Sequence, residues 1–261
     1  MNKQVNKPIL PVCFCIHRNI VMGARIEVNG QEVRRLELIA EGIRQFVNTG
    51  LAAAAYELDA AILVFSDSTV WIRKFGEVGA IPDLQGDGTE CCMGEALGVA
   101  LNAIEDRVAK CTSEGRKCLR PILVVVSAGA ENYGLPAVLE DNSKRCGALI
   151  AQGKLTARMY SMSKRADQGL LRTAAPGGTV EHARADEIIG KLSGLGRYVQ
   201  ADENNGKGSG AGSNVKKEEN NGKGSGAGSY TWPNPGRTTQ GPGDASSYIL
   251  GIYTDPFPER G

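Results

Sequence analysis

Pro11-Val12-Cys13-Phe14-Cys15-Ile16-His17-Arg18-Asn19-Ile20-Val21-Met22 is the stretch that decides the fold. Its first half carries no charge and reads as a strand buried on both faces. At His17-Arg18-Asn19 it turns polar, so the strand ends in a loop at the head of a sheet, where α/β proteins place a ligand site.

Working outward, short apolar strands alternate with amphipathic helices over residues 9–200. The strands are expected at Ile9–Ile16, Ala60–Phe65, Val70–Phe75, Ile122–Ser127, Thr156–Ser163 and Gly178–Ala183. The helices are expected at Gln31–Asn48, Gly94–Ala109, Ala137–Gln152, Ala166–Ala174 and Ala185–Leu195. In the first helix Val33, Leu36, Ile39, Ala40, Ile43 and Phe46-Val47 recur at helical spacing, with Arg34, Glu37, Glu41 and Arg44 between them. Strands bounded by helices pair in parallel, whereas Asp67-Ser68 leaves room only for a hairpin. The expectation is an α/β, doubly wound, mostly parallel six-stranded sheet with one antiparallel strand and helices on both faces.

The periodic pattern stops near Gln200. Glu203–Ser213 reads ENNGKGSGAGS, and Glu219–Ser229 repeats it letter for letter. Such Gly/Ser-rich chain has nothing to bury and behaves as a flexible tether. The expected organisation is an N-terminal extension over 1–8, an α/β domain over 9–200, a linker over 201–229 and a C-terminal tail over 230–261. The tail is rich in Pro and Gly but also holds Trp232, Tyr248, Ile249, Leu250, Ile252, Tyr253 and Phe257. A linker does not need those residues, so the tail is expected to dock on its own domain or on a partner, Ser247–Tyr253 being suited to a sheet edge.

Among 261 residues the formal net charge is +1, which gives no electrostatic reason for nucleic acid or an anionic membrane as partner. No apolar run approaches the ~20 residues of a spanning helix, and the N-terminus lacks the apolar core of a secretory signal, so a cytoplasmic protein is expected. The seven cysteines include no zinc-type Cys-x-x-Cys pair and read as reduced, buried thiols, with a Cys111–Cys118 disulfide or a reactive Cys91 as the alternatives.

Several segments, in order, resemble the von Willebrand factor type A (vWA) domain, closest in style to the bacterial cytoplasmic TerY/YegL-type proteins of tellurite-resistance and stress-response systems. They are Leu10-Pro11-Val12, Leu38–Val47, Ala61–Phe65, Gly88-Thr89-Glu90 with Met93-Gly94-Glu95-Ala96-Leu97, and Arg120–Ser127. The resemblance covers roughly residues 9–197. It implies a metal-ion-dependent adhesion site built from Asp-x-Ser-x-Ser, a Thr and a further Asp. Matched residue by residue, those five positions fall on His17, Asn19, Val21, Thr89 and Ala128. Only Thr89 is kept, and both carboxylates that a hard cation needs are gone. The resemblance therefore implies a degenerate site with no resident cofactor, although Asp87, Glu90 and Glu131 stand near it in the sequence.

What the resemblance implies is a non-enzymatic interaction module that binds another protein without Mg²⁺. Arg18, Asn19, Ile20, Val21, Thr89, Glu90 and Glu131 would form its contact face, with Ile20 and Val21 as apolar anchors. By family analogy the partner is a kinase, a phosphatase or another component of a stress system. One alternative is an altered ion site at His17, Asn19 and Thr89, taking Zn²⁺ or Ni²⁺ with help from Cys91 or Cys92. The other is a thiol-dependent enzyme in which a helix N-terminus lowers the pKa of Cys91 and His17 serves as its base. His182 is expected in the last strand, away from these loops.

Overall fold

In the computed structural model, residues 7–52, 55–128, 135–162 and 168–196 are described. The linker, the tail and Glu131 lie outside them. A central sheet is formed by β1 (Ile9–His17), β4 (Glu57–Phe65), β5 (Thr69–Arg73), β6 (Ile122–Ser127), β7 (Thr156–Ser161) and β8 (Thr179–His182). Its order is β5-β4-β1-β6-β7-β8. Every pairing is parallel except β4–β5, which turns over at Ser66-Asp67-Ser68 as the hairpin spacing requires.

Strand β1 lies between β4 and β6 and is buried along its whole length. The pleat sends its residues alternately to two cores. Leu10, Val12, Phe14 and Ile16 meet α2 (Arg35–Leu51) and α6 (Ile188–Ser193) on one face. Cys13 and Cys15 meet α3 (Met93–Ser113), α4 (Pro136–Ala151) and α5 (Gln168–Ala174) on the other. The doubly wound architecture is therefore the one the alternation predicts. From β1 the chain moves outward to β4 and β5, then crosses back through α3 to β6 and moves outward the other way to β7 and β8, which makes the carboxyl ends of β1 and β6 the switch point of the sheet.

The structure corrects one element. Gln31–Arg34, expected as the first turn of a long helix, is instead strand β3, paired antiparallel with β2 (Arg25–Val28) in a separate hairpin. The turn is Asn29-Gly30, with φ of 53° and 79°. Both residues sit in the left-handed region that a two-residue hairpin of primed type requires. A short helix, α1 (Ile20–Gly23), was likewise not anticipated. Helix α2 starts only after the hairpin, where Glu37 accepts a hydrogen bond from the Arg34 amide at 3.0 Å. All seven cysteines are free thiols, Cys111 and Cys118 included.

Candidate functional site at the head of the sheet

The carboxyl ends of three adjacent strands supply Phe65, His17 and Ser127. Register pairs His17 with Phe65, and the two rings stack at 5.1 Å with an interplanar angle of 8°. The His17 ring is wholly buried, with 0% exposure. Nδ1 lies 3.1 Å from Ser127 Oγ and Nε2 lies 3.0 Å from the Glu90 carbonyl oxygen. A carbonyl only accepts, so Nε2 carries the proton and Nδ1 accepts from the serine hydroxyl. One neutral imidazole thus ties the end of β1 to the end of β6 and to the loop before α3. Burial holds its pKa below the ordinary 6.5, outweighing the Glu90 carbonyl and the charge of Asp67, which act the other way. The sequence offered this residue as a metal ligand or a base; the structure makes it a buried cross-link.

The loop before α3 reaches this position through glycine. A Cβ on Gly86 would lie 2.6 Å from the Gly23 Cα, and one on Gly88 would overlap the Ser66 side chain. Close approach to neighbouring chain is thus what Gly86-Asp87-Gly88-Thr89 uses its glycines for. The Asp87 amide donates to the Arg18 carbonyl at 3.1 Å and the Ile20 amide to the Gly88 carbonyl at 2.9 Å. The loop is laced to the segment that follows β1.

Asp67, read from the sequence only as a turn residue, proves to be the anchor of this loop. Its Oδ1 accepts from the Glu90 amide at 2.7 Å, the Thr89 amide at 3.1 Å and the Thr89 hydroxyl at 3.2 Å. Those amides hold the carboxyl below its usual range. The hydroxyl of Thr89 is therefore committed to a side chain of its own protein.

The remaining sequence-predicted residues divide into those turned inward and those turned outward. The Asn19 Oδ1 caps α1 by accepting from the Met22 amide at 3.1 Å. Ala128 is buried beside Ser127. Arg18 pairs with Asp87 at 3.2 Å. Ile20 and Val21 face solvent at 61% and 44% exposure, and Thr89 and Glu90 are also exposed. Leu135, at the start of α4, is 68% exposed on the same end of the sheet and had not been singled out. His182 ends β8, two strands away from β6, as expected.

The donor set does not fit a divalent cation. Both nitrogens of His17, the Asn19 oxygen and the Thr89 hydroxyl are each engaged in another hydrogen bond, and Val21 and Ala128 bring only aliphatic groups. Among the described residues there is no group of three His, Cys, Asp or Glu side chains that could hold a metal ion. The expectation of an activated Cys91 is overturned. The thiol is fully buried, and burial pushes its pKa up to about 12, against the effect foreseen from the helix start.

No protein-family model matches the chain, and none of the curated proteins does. Solved structures do match. Proximal thread matrix protein 1 from the mussel byssus superposes with a TM-score of 0.54 at 13% identity, over 74% of this chain and 46% of that one. A von Willebrand factor type A protein from Catenulispora acidiphila gives 0.52 at 14% identity, over 73% and 42%. The PilB minor pilin from Streptococcus sanguinis gives 0.52 at 11%, over 76% and 63%. The chain spans less than two thirds of the length of each. What is shared is the fold, that of a vWA domain.

Proposed function

We propose that this chain is a protein-interaction module of vWA type that needs no metal ion to present its binding face, and that it has no catalytic activity. The observation that supports this most directly is His17. In the family pattern a cation draws together the loops after the first strand, before the helix that carries Thr, and after the fourth main strand. Here the imidazole links those same three segments through Ser127 Oγ, the Glu90 carbonyl and its own strand. Hydrogen bonds replace coordination, and the exposed apolar pair Ile20 and Val21 stands above them with Arg18, Thr89 and Glu90 alongside. Exposed apolar residues rimmed by polar groups are the usual composition of a contact surface.

From the resemblance to TerY-type proteins we infer that the partner is a kinase, a phosphatase or another component of a bacterial stress system and that the protein works in the cytoplasm. Among the described residues, no helix is long and apolar enough to cross a membrane. The test is capture of the partner by the full chain with and without EDTA, alongside the double variant Ile20→Asp, Val21→Asp. Capture that survives EDTA and is lost in the double variant supports the reading. Capture lost in EDTA, or micromolar binding of Mg²⁺, Mn²⁺, Zn²⁺ or Ni²⁺ by calorimetry, overturns it in favour of an ion site at His17, Asn19 and Thr89.

A further inference from the structure

At the end of β6 opposite Ser127 the chain doubles back and brings two cysteines together. Helix α3 ends in a Schellman motif: the Gly115 amide donates to the Thr112 carbonyl at 3.1 Å and the Arg116 amide to the Cys111 carbonyl at 2.9 Å. Gly115 takes the positive φ of 66° that the motif requires. The chain then runs beside the start of β1, where the Ile9 amide donates to the Lys117 carbonyl at 2.9 Å and the Leu119 amide to the Ile9 carbonyl at 2.7 Å. Those bonds hold Cys118 in an isolated parallel bridge with Ile9. Arg116, between the two cysteines, pairs with Glu57 at 2.5 Å. The return is therefore fixed at both ends and in its middle.

The Cys118 thiol faces the Cys111 thiol closely enough for the two to interact directly. The two sulfurs differ in access. Cys111 is fully buried, whereas Cys118 is half-buried and lines an open hollow of about 620 Å³, walled also by Ile104, Val108, Leu149 and Leu155. A small solute in the hollow meets Cys118 first. Cys13 and Cys15 also interact with each other, but both are buried in the middle of the sheet and lack such an approach. Burial and the neighbouring Cys111 hold the Cys118 thiol above the ordinary thiol range; Asp59 acts the same way, and Arg107, paired with Asp59 at 2.6 Å, acts against it. Thiolate is therefore scarce at neutral pH, so a reaction at Cys118 is slow there and quickens as the pH rises.

We infer that Cys111 and Cys118 are a redox pair, which a peroxide entering the hollow converts to a disulfide that staples the end of α3 to the segment leading into β6. The Cys118 sulfur attacks one peroxide oxygen, the O–O bond breaks, and the other oxygen leaves as water with the thiol's proton. Cys118 is then a sulfenic acid. The Cys111 sulfur attacks the sulfenic sulfur, the S–S bond forms as the S–O bond breaks, and the hydroxyl leaves as a second water with the proton of Cys111. The two sulfurs have together given two electrons to the peroxide. A dithiol restores both thiols by exchange and is itself oxidised to a disulfide. The pair is independent of the His17 face and of the function proposed for it.

The test is exposure of the folded full chain to hydrogen peroxide, with remaining thiols blocked by N-ethylmaleimide before unfolding and the tryptic peptides weighed. The peptide Cys111–Arg116 is expected to appear joined to the one that carries Cys118, and to separate from it in dithiothreitol. Because the bond closes a loop that the native fold already holds, the oxidised chain is expected to melt roughly 5 °C higher than the reduced one. Cys111→Ser removes the resolving sulfur, so dimedone, which traps sulfenic acid, is expected to label Cys118 at least about tenfold more in that variant than in the unmodified chain. Cys118→Ser, at the half-buried position, is expected to leave Cys111 reduced under the same oxidant. Absence of the joined peptides, whether Cys118 stays reduced or passes on to sulfinic acid, overturns the proposal. Joining of either cysteine to a different one overturns it too, as does a fall in melting temperature on oxidation, because the native fold would then not accommodate the bond.

Discussion

The two ends of β6 have opposite chemistry on the same scaffold. At Ser127 the polar groups of His17, Asn19, Thr89 and Asp67 are satisfied from within the protein. At Pro121 the interior is apolar and open. A closed polar centre cannot take up a ligand without losing hydrogen bonds of its own, so the contact face proposed for the upper end lies on top, at Ile20 and Val21. An open apolar hollow has nothing to lose and gains by being filled.

Replacing His17 tests that contrast hardest. His17→Ala removes two hydrogen bonds and the stack on Phe65, and leaves a cavity where three segments meet. It is expected to cost about 3 kcal/mol in denaturant unfolding. Leu149→Ala, a half-buried residue at a wall already facing open space, is expected to cost about 1 kcal/mol. Equal costs would break the comparison, because the upper centre would then be no better packed than the lower one. Next in size is Gly88→Ala, whose added methyl overlaps the Ser66 side chain. We expect about 1–3 kcal/mol of destabilisation, measured as a fall in melting temperature, since either the loop or Ser66 must move.

The pH dependence sharpens the same point. The folded pKa of His17 is depressed by burial below 6.5. Between that depressed value and 6.5 the unfolded chain binds a proton that the folded chain does not, so stability falls as the pH falls. The stability contributed by neutral His17 is whole above pH 6.5 and is lost progressively below it, until the folded pKa is reached. Unfolding free energies measured between pH 7.5 and 5 should show this slope in the unmodified chain and a flatter one in His17→Gln. Parallel slopes would mean that the imidazole is not buried as a neutral group.

The fold was legible because its signals are local. An uncharged run such as Leu10–Ile16 can only be a buried strand, and the spacing of Leu36, Ile39, Ile43 and Phe46 can only present one helical face. The hairpin before α2 was also written locally, in Asn29-Gly30, but Val33 and Leu36 continue a helical period backward across it and hide it. The site was legible in part. That His17 and Ala128 bring no carboxylate where the resemblance to vWA domains implies one can be read from the sequence. That His17 fills the gap cannot, because its partners are set by register across the sheet. Phe65, Ser127 and the Glu90 carbonyl come from three segments up to 110 positions away. Asp67 was read as a turn residue because a turn is its local role, while its bonds to Thr89 and Glu90 span more than twenty positions.

Asp67 offers the smallest effect and the most local one. Its carboxylate is exposed, so Asp67→Asn is expected to leave the melting temperature nearly unchanged. What it should change is the loop. The Thr89 and Glu90 amides lose the charged acceptor that holds them at 3.1 and 2.7 Å, and their hydrogen exchange should accelerate while the amides of β1 and β6 keep their protection. His17 would then still tether the Glu90 carbonyl, so the loop would loosen on its outer side only. If exchange at Thr89 and Glu90 stays as slow as in β1, the imidazole holds the loop by itself, and the upper end of the sheet depends on His17 rather than on His17 and Asp67 together.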